Sequence, residues 1–223
     1  MSALTLNPSP TLEKDFEVLL PFSRWEKGLG DEGVPSLALP DMLPLTRALQ
    51  YCELMSFVLE TIRLQLRSCQ IEDVQIVHTL WINDGIRYFL FDNRVISFDE
   101  AQFFVEDSLA NFEQYGYGIW LVFERGNDSL VGFAGFLRSQ EGTPSLIYGI
   151  HPDHWGCGYA TESASAVLSY ALENLALPNV RADVDEPNAA SVRVLEKLGM
   201  RRIGNAVVNG HPLIYFERSR SEE

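Results

Sequence analysis

The segment from His151 to Leu172 limits the possible fold of this chain more than any other. It reads HPDHWGCGYATESASAVLSYAL, with glycines at Gly156 and Gly158 and then a long amphipathic stretch without proline. Glycine has no Cβ and adopts backbone angles that other residues rarely reach, so this pair lets a turn bring its amides close to another group. Because the turn opens a helix, unpaired N–H groups and the positive end of the helix dipole point the same way. The segment therefore predicts either a phosphate-binding loop or a tight structural turn.

Alternating strand and helix patterns surround this loop. The predicted order is strand, two helices, three strands, helix, strand, helix and two strands. The elements read TIRLQLR, IEDVQIVHTLWIND, SFDEAQFFVEDSLANFEQYG, GIWLVFER, SLVGFAGFLR, PSLIYGIHP, the helix Tyr159 to Leu175, VRADVDEP, NAASVRVLEKLGM and the hairpin RRIGNAVVNGHPLIYFER. Ser97 and Glu100 form a capping pattern, Asn188 and Gly199 bound a helix, and Asn209-Gly210 marks a turn. We expect one mixed α/β domain, with a central sheet of about seven strands flanked by about four helices.

Residues 1–57 differ in composition and in hydrophobic pattern from the rest of the chain. The segment from Glu26 to Pro44 contains three glycines and three prolines, which is typical of irregular loop. The stretch TRALQYCELMSFVLE that follows places apolar residues near helical spacing. We therefore expect an N-terminal extension over 1–57, made of loop and one helix, and a main domain over 58–223.

Charge and composition exclude several classes of protein. The formal net charge is −14, which disfavours nucleic acid as a partner and would favour a cationic or amine-bearing acceptor. No apolar run approaches the roughly 20 residues that cross a bilayer, and the N-terminal residues do not resemble a secretory signal. The three cysteines, Cys52, Cys69 and Cys157, lack paired or metal-ligand spacing. We expect a cytoplasmic chain without a membrane anchor or a metal.

The loop and two other segments resemble the GNAT superfamily of N-acetyltransferases, whose acyl-CoA loop has the form Q/R-x-x-G-x-G/A. The loop reads WGCGYATE from Trp155 to Glu162, with Cys157 at a position that is often basic in the family. NAASVRVLEKLGM and ETIRLQLR look like the branch that contains RimJ and RimL, the acetyltransferases of ribosomal-protein N-termini. The resemblance covers about Phe57 to Arg218, and it implies a single GNAT-like domain behind the N-terminal extension.

The resemblance implies acetyl-CoA as the acyl donor and assigns a binding site to it. The strand before the loop would splay from its neighbour and bind the pantetheine arm through main-chain groups, while the loop amides hold the pyrophosphate. The implied contacts are Ile150, His151, Trp155, Gly156, Cys157, Gly158, Tyr159, Ala160, Asn188 and Ser191. Asn188 also suits a helix N-cap. Ser191 is either a small residue at a helix start or the general acid for the CoA thiolate, because the tyrosine that serves many relatives is replaced by Leu195.

The general base is the residue that the sequence does not supply. In this branch a Glu often stands early on the strand before the loop, where this chain has Ser145. Deprotonating a lysine side chain near neutral pH costs roughly 4 to 5 kcal/mol, whereas an α-amine costs only about 1 kcal/mol. A missing carboxylate therefore favours a weakly basic acceptor, with positioning as the main source of catalysis. Glu141, just before the strand, and Ser145 itself are other candidates. His151 titrates in the right range but also suits a structural hydrogen bond at the loop entry, and His78 suits packing in the first helix.

Acceptor specificity is expected from the helices after the first strand. Trp81, Asp84 and Tyr88 suit a groove for an amine or a peptide end, although the aromatic residues also suit a plain core. The sequence thus predicts an acetyl-CoA-dependent N-acetyltransferase that acts on an amine, with a peptide α-amine as the RimJ/RimL-like acceptor. A small amine or antibiotic as acceptor, or a non-catalytic acyl-CoA-binding module, are the alternatives. A homodimer is expected only by analogy.

Overall fold

The computed structural model describes residues 57–138 and 142–220. The helix predicted within 1–57 and the candidate base Glu141 lie outside these residues. The described part contains eight β-strands and five α-helices, slightly more than the sequence predicts.

The elements follow one another in the predicted mixed order. The strands are β1 Val58–Glu60, β2 Leu64–Ser68, β3 Ile119–Glu124, β4 Leu130–Arg138, β5 Pro144–Ile150, β6 Asn179–Asp185, β7 Arg201–Val208 and β8 His211–Ser219. The helices are α1 Val74–Trp81, α2 Asp84–Leu90, α3 Phe98–Tyr115, α4 Tyr159–Ser169 and α5 Ala189–Lys197. Short 3-10 turns at Ile71–Asp73 and Pro152–His154 precede α1 and the glycine loop, and a π-helical turn at Tyr170–Asn174 continues α4.

All eight strands form one sheet in the order β1-β2-β3-β4-β5-β6-β8-β7. Every neighbouring pair is antiparallel except β5 and β6, which run parallel. These two strands pair in register only at Ser145 and Arg181, whereas β4 and β5 pair along the whole of β5. Beyond Ser145 the strands separate, and the edge of β5 that faces β6 has no strand partner. The splay that the family resemblance implies is therefore present at the centre of the sheet.

Helices cover both faces of the sheet and enclose two cores. On one face, α4 and α5 pack on strand residues such as Trp120, Phe136 and Phe216. On the other face, α1, α2 and α3 pack on a second cluster that includes Ile119, Leu121 and Phe133. Because alternate residues of a strand point to opposite faces, each central strand contributes side chains to both layers. The gap between β5 and β6 thus connects two differently built sides of the molecule.

Two elements differ from the sequence prediction. TIRLQLR forms a strand only from Leu64, and a short strand that was not predicted, β1, precedes it at Val58–Glu60. The helix α2 was not predicted as a separate element, since the expected order has two helices between the first strand and the three that follow, and the structure has three. In the structure, the side chain of Asn83 accepts a hydrogen bond from the N–H of Gly85 and caps α2. A polar turn signal and a helix N-cap use the same residue types, which explains the error.

Several local predictions are confirmed. Ser97 and Glu100 form a reciprocal capping box on α3, and Asn188 caps α5. The β7–β8 hairpin turns at Asn209-Gly210 as expected. No helix in the described residues combines the length and the apolar character that a bilayer crossing requires.

Removing the α3 cap tests the local stability argument. The Ser97 side chain accepts the N–H of Glu100 at 3.2 Å, and the Glu100 carboxylate accepts the N–H of Ser97 at 2.7 Å. We expect Ser97→Ala to lower the free energy of unfolding by about 1 kcal/mol, because one helix N–H loses its acceptor. Urea denaturation followed by circular dichroism measures this change. Gln114→Ala, at an exposed site in the last turn of the same helix, is the control, and an equal loss there would contradict the cap argument.

Candidate active site

Both glycines of the loop adopt left-handed backbone angles, with φ of 77° at Gly156 and 82° at Gly158. Gly158 is the N-cap of α4. A Cβ at Gly156 would meet no heavy atom within 4 Å, and one at Gly158 would meet only Nη2 of Arg63, at 3.5 Å. The space before the first turn of α4 is therefore open, and the unpaired N–H groups of that turn give it donors. This geometry fits an anion and is more than a close-packed turn.

The guanidinium of Arg63 lies against this loop. Its Nη1 donates to the carbonyl of Cys157 at 2.8 Å, and its Cζ lies 4.7 Å from the centre of the Tyr159 ring. It also forms an ion pair with Glu162 in the first turn of α4, with Nη2 2.5 Å from Oε2. The Thr61 hydroxyl and the main-chain N–H of Arg63 donate to Oε1 of the same carboxylate, at 2.6 and 3.0 Å.

These contacts neutralise the only acidic side chain in the first turn of α4. Burial acts to raise the pKa of Glu162, but the hydrogen bonds from Thr61 and Arg63 outweigh it, so that the pKa is lowered. The ionised carboxylate is held toward β2 and is compensated by the arginine. Sequence reasoning noted that Cys157 replaces a frequently basic position but did not identify Arg63, because 94 residues separate the two in the chain.

A cavity of about 610 Å³ occupies the gap between β5 and β6 and extends to the glycine loop. Its walls come from α2, β5, the loop, the first turn of α4, β6 and α5. Most of the predicted donor-site residues line it, namely Ile150, Trp155, Gly156, Gly158, Tyr159, Ala160, Asn188 and Ser191. The structure thus brings together segments that are far apart in the chain.

Tyr148, Asn188 and Ser191 meet on the side of the gap that carries α4 and α5. The side-chain oxygen of Asn188 accepts the N–H of Ser191 at 3.1 Å, which is the N-cap contact. The Tyr148 hydroxyl donates to the main-chain carbonyl of Ser191 at 3.2 Å. Burial raises the pKa of Tyr148 to about 12, so this phenol remains protonated. Ser191 is therefore held at the start of α5 by two neighbours, and it lines the cavity.

Ser145 and Asp183 meet on the opposite side of the gap. Ser145 is buried, and its hydroxyl donates to Oδ1 of Asp183 at 3.5 Å. Burial, and then the charge of Asp185, raise the pKa of Asp183 to about 7. The expectation from Ser145 was that the site lacks a carboxylate. The structure places the Asp183 carboxylate beside Ser145, from the neighbouring strand.

Sequence reasoning missed Asp183 although a signal was present. VRADVDEP was interpreted only as a strand, but its alternation of buried Val180, Ala182 and Val184 with Asp183 and Asp185 puts two carboxylates on one face. What the sequence could not show is that this face borders a cavity. Burial, followed by the charge of Asp92, raises the pKa of Asp185, and the His211 ring lies 3.8 Å from that carboxylate.

The remaining donor-loop predictions fall on residues with mainly structural contacts. The indole N–H of Trp155 donates to the carbonyl of Ile150 at 2.7 Å. Nε2 of His151 lies 3.3 Å from the Asn83 amide, and its Nδ1 accepts the N–H of Asp153 at 3.3 Å, so this ring links the loop to α2. Tyr159 is buried, with its hydroxyl hydrogen-bonded to Glu124. Through these residues the loop is fixed to both layers.

The three predicted acceptor residues do not line the cavity. Trp81 is 1% exposed and packs against Phe91, Phe104 and Phe133, so the prediction that it contacts an acceptor is corrected to a core role. The Asp84 side chain is 91% exposed and pairs with Arg87. Tyr88 is also exposed. Helix α2 instead turns its apolar side to the cavity, through Gly85, Ile86, Phe89 and Leu90.

Comparison with known proteins agrees with this geometry. Residues 63–201 match the acetyltransferase (GNAT) domain family. The N-acetyltransferase YoaA of Bacillus subtilis is 31% identical over 150 residues, which are 66% of this chain and 84% of that protein.

Two solved structures share the fold. RimL, a ribosomal alpha-N-protein acetyltransferase in complex with coenzyme A, matches with a TM-score of 0.62 at 18% identity, over 73% of this chain and 97% of its own. Spermidine N-acetyltransferase from Vibrio cholerae, in complex with CoA and spermine, matches with a TM-score of 0.60 at 22% identity, over 72% and 97%. Together with the family match over 63–201, these findings show that the chain belongs to the GNAT family of N-acetyltransferases, which use acetyl-CoA as the acyl donor.

Proposed function

We propose that this enzyme transfers the acetyl group of acetyl-CoA to an amine within the cavity between β5 and β6. The observation that carries the proposal is the continuity of that cavity. The cavity extends from the open N-terminus of α4 to the gap between β5 and β6, and through this gap it reaches both faces of the sheet. A ligand with an anionic end and a reactive end could therefore span it.

The residues present fit the acyl donor. The left-handed glycines leave open space before the N-terminus of α4, which suits pyrophosphate oxygens. The Arg63 guanidinium compensates the Glu162 carboxylate, so no uncompensated negative charge of this pair opposes an anion in that space. The edge of β5 that lacks a strand partner provides main-chain donors and acceptors for the pantetheine arm. When bound there, acetyl-CoA supplies an activated thioester carbonyl.

Residues on the α5 side would assist departure of the thiolate. Ser191 sits in the first turn of α5, with its N–H on the Asn188 side chain and its carbonyl on Tyr148. Its hydroxyl is free to rotate toward the cavity and to give a proton to the leaving sulfur. Amides of β5 would polarise the acetyl carbonyl. The tyrosine that serves many relatives is Leu195 here, and Leu195 is buried.

The acceptor is proposed to be a primary amine, with a peptide α-amine as the first to test. The sequence argument for a weakly basic amine assumed that the site has no carboxylate, because Ser145 stands in place of Glu. This assumption does not hold, since the Asp183 carboxylate lies beside Ser145. The carboxylates of β6 specifically favour a second candidate, a small and more basic amine. The names of RimL and spermidine N-acetyltransferase give their acceptors as a ribosomal protein and a polyamine. Their sequence identities to this chain, 18% and 22%, support a shared fold and do not assign its acceptor.

Release of the CoA thiol tests the proposed function. The full chain would be incubated with acetyl-CoA and, in parallel, with peptides bearing a free or blocked α-amine, with 1,4-diaminobutane, and without acceptor. Release that depends on a free amine supports the enzyme, and the preferred amine identifies the acceptor class. Binding of acetyl-CoA without release for any amine would indicate a non-catalytic acyl-CoA-binding module instead.

A matched pair of glycine variants tests the loop. Gly156 and Gly210 both have positive φ, and a Cβ at either would meet nothing within 4 Å. Alanine should therefore strain both turns equally, but only at Gly156 would the methyl group enter the proposed phosphate space. We expect Gly156→Ala to weaken acetyl-CoA binding at least about tenfold, or about 1.4 kcal/mol, by calorimetry. Gly210→Ala should bind as the wild type does; equal weakening in both variants would assign the effect to the fold.

Arg63 can be tested against a similar arginine nearby. The side chains of Arg63 and Arg125 are 46% and 48% exposed, and only Arg63 reaches the loop. Arg63→Gln removes a charge beside the phosphate space and leaves Glu162 uncompensated. We expect its acetyl-CoA affinity to fall by about 1 kcal/mol at low salt, with a smaller effect at high salt. Arg125→Gln should change affinity little, and an equal loss would indicate a general surface effect.

Ser191→Ala tests the assignment of the general acid. The N–H that Asn188 accepts is retained, so the helix cap and the affinity for acetyl-CoA should be unchanged. We expect turnover to fall by roughly 10²-fold, because the thiolate loses its proton donor. Ser129→Ala, in the β3–β4 hairpin and outside the cavity lining, controls for loss of a hydroxyl. Unchanged turnover in Ser191→Ala would show that solvent protonates the sulfur.

A further inference from the structure

Asp183 is a cavity carboxylate to which the donor site gives no role. It lies two residues beyond Arg181, the last residue of β6 that pairs in register with β5, so it stands where the two strands begin to separate. Val180, Ala182 and Val184 face the core under α4 and α5. Asp183 therefore points to the other face of the sheet, which carries α1 to α3.

Ser145 shares this face and contacts Asp183. Ser191 and Tyr148 lie on the α5 side of the same gap. The gap is thus bordered from opposite faces by two groups. The Ser191 hydroxyl lies on the side of the proposed leaving sulfur, and the Asp183 carboxylate lies on the side lined by α2. An amine that enters along α2 would meet Asp183 on its way to the thioester.

The other titratable side chains of the cavity are committed elsewhere or stand in the wrong place. Tyr148 donates to Ser191, and Tyr159 is bound to Glu124. His154 belongs to the donor loop. Arg193 and Lys197 are cations on α5, and Asp185 lies next to His211. Among the cavity residues that the structure describes, Asp183 alone combines a carboxylate, a place at the strand separation and the acceptor face.

We propose that Asp183 is the general base that takes the proton from the acceptor amine, with Ser145 as the residue that positions its carboxylate. This inference rests on the proposed acetyl transfer. The acceptor enters as an ammonium ion, and the carboxylate attracts it and takes one proton. The nitrogen then forms a C–N bond to the acetyl carbon while the C–S bond breaks. The second amine proton passes to solvent, and the sulfur takes a proton from Ser191, which solvent restores.

The surroundings of Asp183 set the pH range in which it can act. Asp185 and Arg181 flank it on β6, Tyr215 and Glu217 lie on the adjacent strand β8, and Ser145 faces it from β5. Asp92 and His211 lie beyond Asp185. With its pKa raised to about 7 by burial and by Asp185, the carboxylate is about half ionised at neutral pH. A carboxylate with a pKa in this range is more basic than an ordinary aspartate, and enough of it is still ionised at neutral pH to accept a proton.

The acceptor class follows from this arrangement. A base at the strand separation allows amines that are protonated in solution to react, and Asp185 adds a second negative charge on the same face. We therefore expect basic primary amines, including those with a second cationic group, to be accepted. An α-amine is also compatible, but it is no longer the only class that the site can serve.

The test compares Asp183→Asn with Asp185→Asn. The acceptors are 1,4-diaminobutane, which is protonated at neutral pH, and hydroxylamine, which is not. For the wild type we expect kcat/KM to rise with pH along a limb set by Asp183. In Asp183→Asn this limb should be absent. Its kcat/KM should fall roughly 10²-fold or more with the diamine and much less with hydroxylamine. Asp185→Asn should keep the limb and shift it to lower pH, because a neighbouring negative charge is removed.

Ser145→Ala separates positioning from catalysis. It should lower kcat with the diamine and retain the pH limb, since the base itself is still present. Equal loss with both acceptors in Asp183→Asn, or an unchanged pH limb, would overturn the proposal. Acetyl-CoA affinity, measured in every variant, shows whether the donor site is intact. If the wild type releases no CoA with any amine, the proposed function fails and this inference fails with it.

Folding of Asp183→Asn can be checked independently. Because the pKa of Asp183 is raised above its usual range, ionisation in the folded state is unfavourable, and the wild type should lose stability as pH rises from about 4 to 7. The asparagine variant lacks this loss, so at pH 8 it should be at least as stable as the wild type. A loss of activity in a variant that is stable and binds acetyl-CoA is therefore a catalytic effect.

Discussion

The separation of β5 from β6 is the constraint on which the rest of the site depends. A parallel pair in the middle of a sheet normally continues its ladder, because each unpaired main-chain group away from water costs free energy. Here the ladder consists of one register pair, Ser145 with Arg181. The antiparallel partners β4 and β8 hold the two strands firmly on their outer sides. A central gap can therefore persist without loss of the sheet, and its polar edges remain available to a ligand.

The two ends of this gap have opposite electrostatic character. At the glycine loop, Glu162 is surrounded by donors, its pKa is lowered, and its ion pair with Arg63 contributes stability above the ordinary carboxyl range. At the other side, Asp183 has one long hydrogen bond and a like charge two residues away, and its pKa is raised. One end is prepared for an anion and the other for a cation. This asymmetry is what a transfer from an anionic carrier to an amine requires.

The sequence predicted the parts of the protein that depend on local chemistry. The glycine loop, the capping box at Ser97, the cap at Asn188 and the hairpin at Asn209-Gly210 each follow from residues close together in the chain. It failed where the answer depends on which strands become neighbours. Arg63 can lie against the glycine loop only because β2 begins near α4, and Asp183 can stand beside Ser145 only because β5 and β6 are adjacent. For Trp81 the sequence left a core and a groove role open, because an aromatic residue on an amphipathic helix suits both, and the structure places it in the core.

The position of Asp183 also indicates how a carboxylate from a neighbouring strand can come close to the place of a replaced residue. A carboxylate on β5 and one on β6 can occupy nearly the same volume, because the facing residues of adjacent strands are only about 5 Å apart. Ser145 is small, and it leaves room for the neighbouring aspartate and donates a hydrogen bond to it. The arrangement has a cost, because a half-buried aspartate beside Asp185 destabilises the folded state once it ionises. Asp183 lowers stability when ionised, lines the cavity, and has no countercharge within hydrogen-bond reach among the residues that the structure describes. Such a group is better explained by chemistry than by packing.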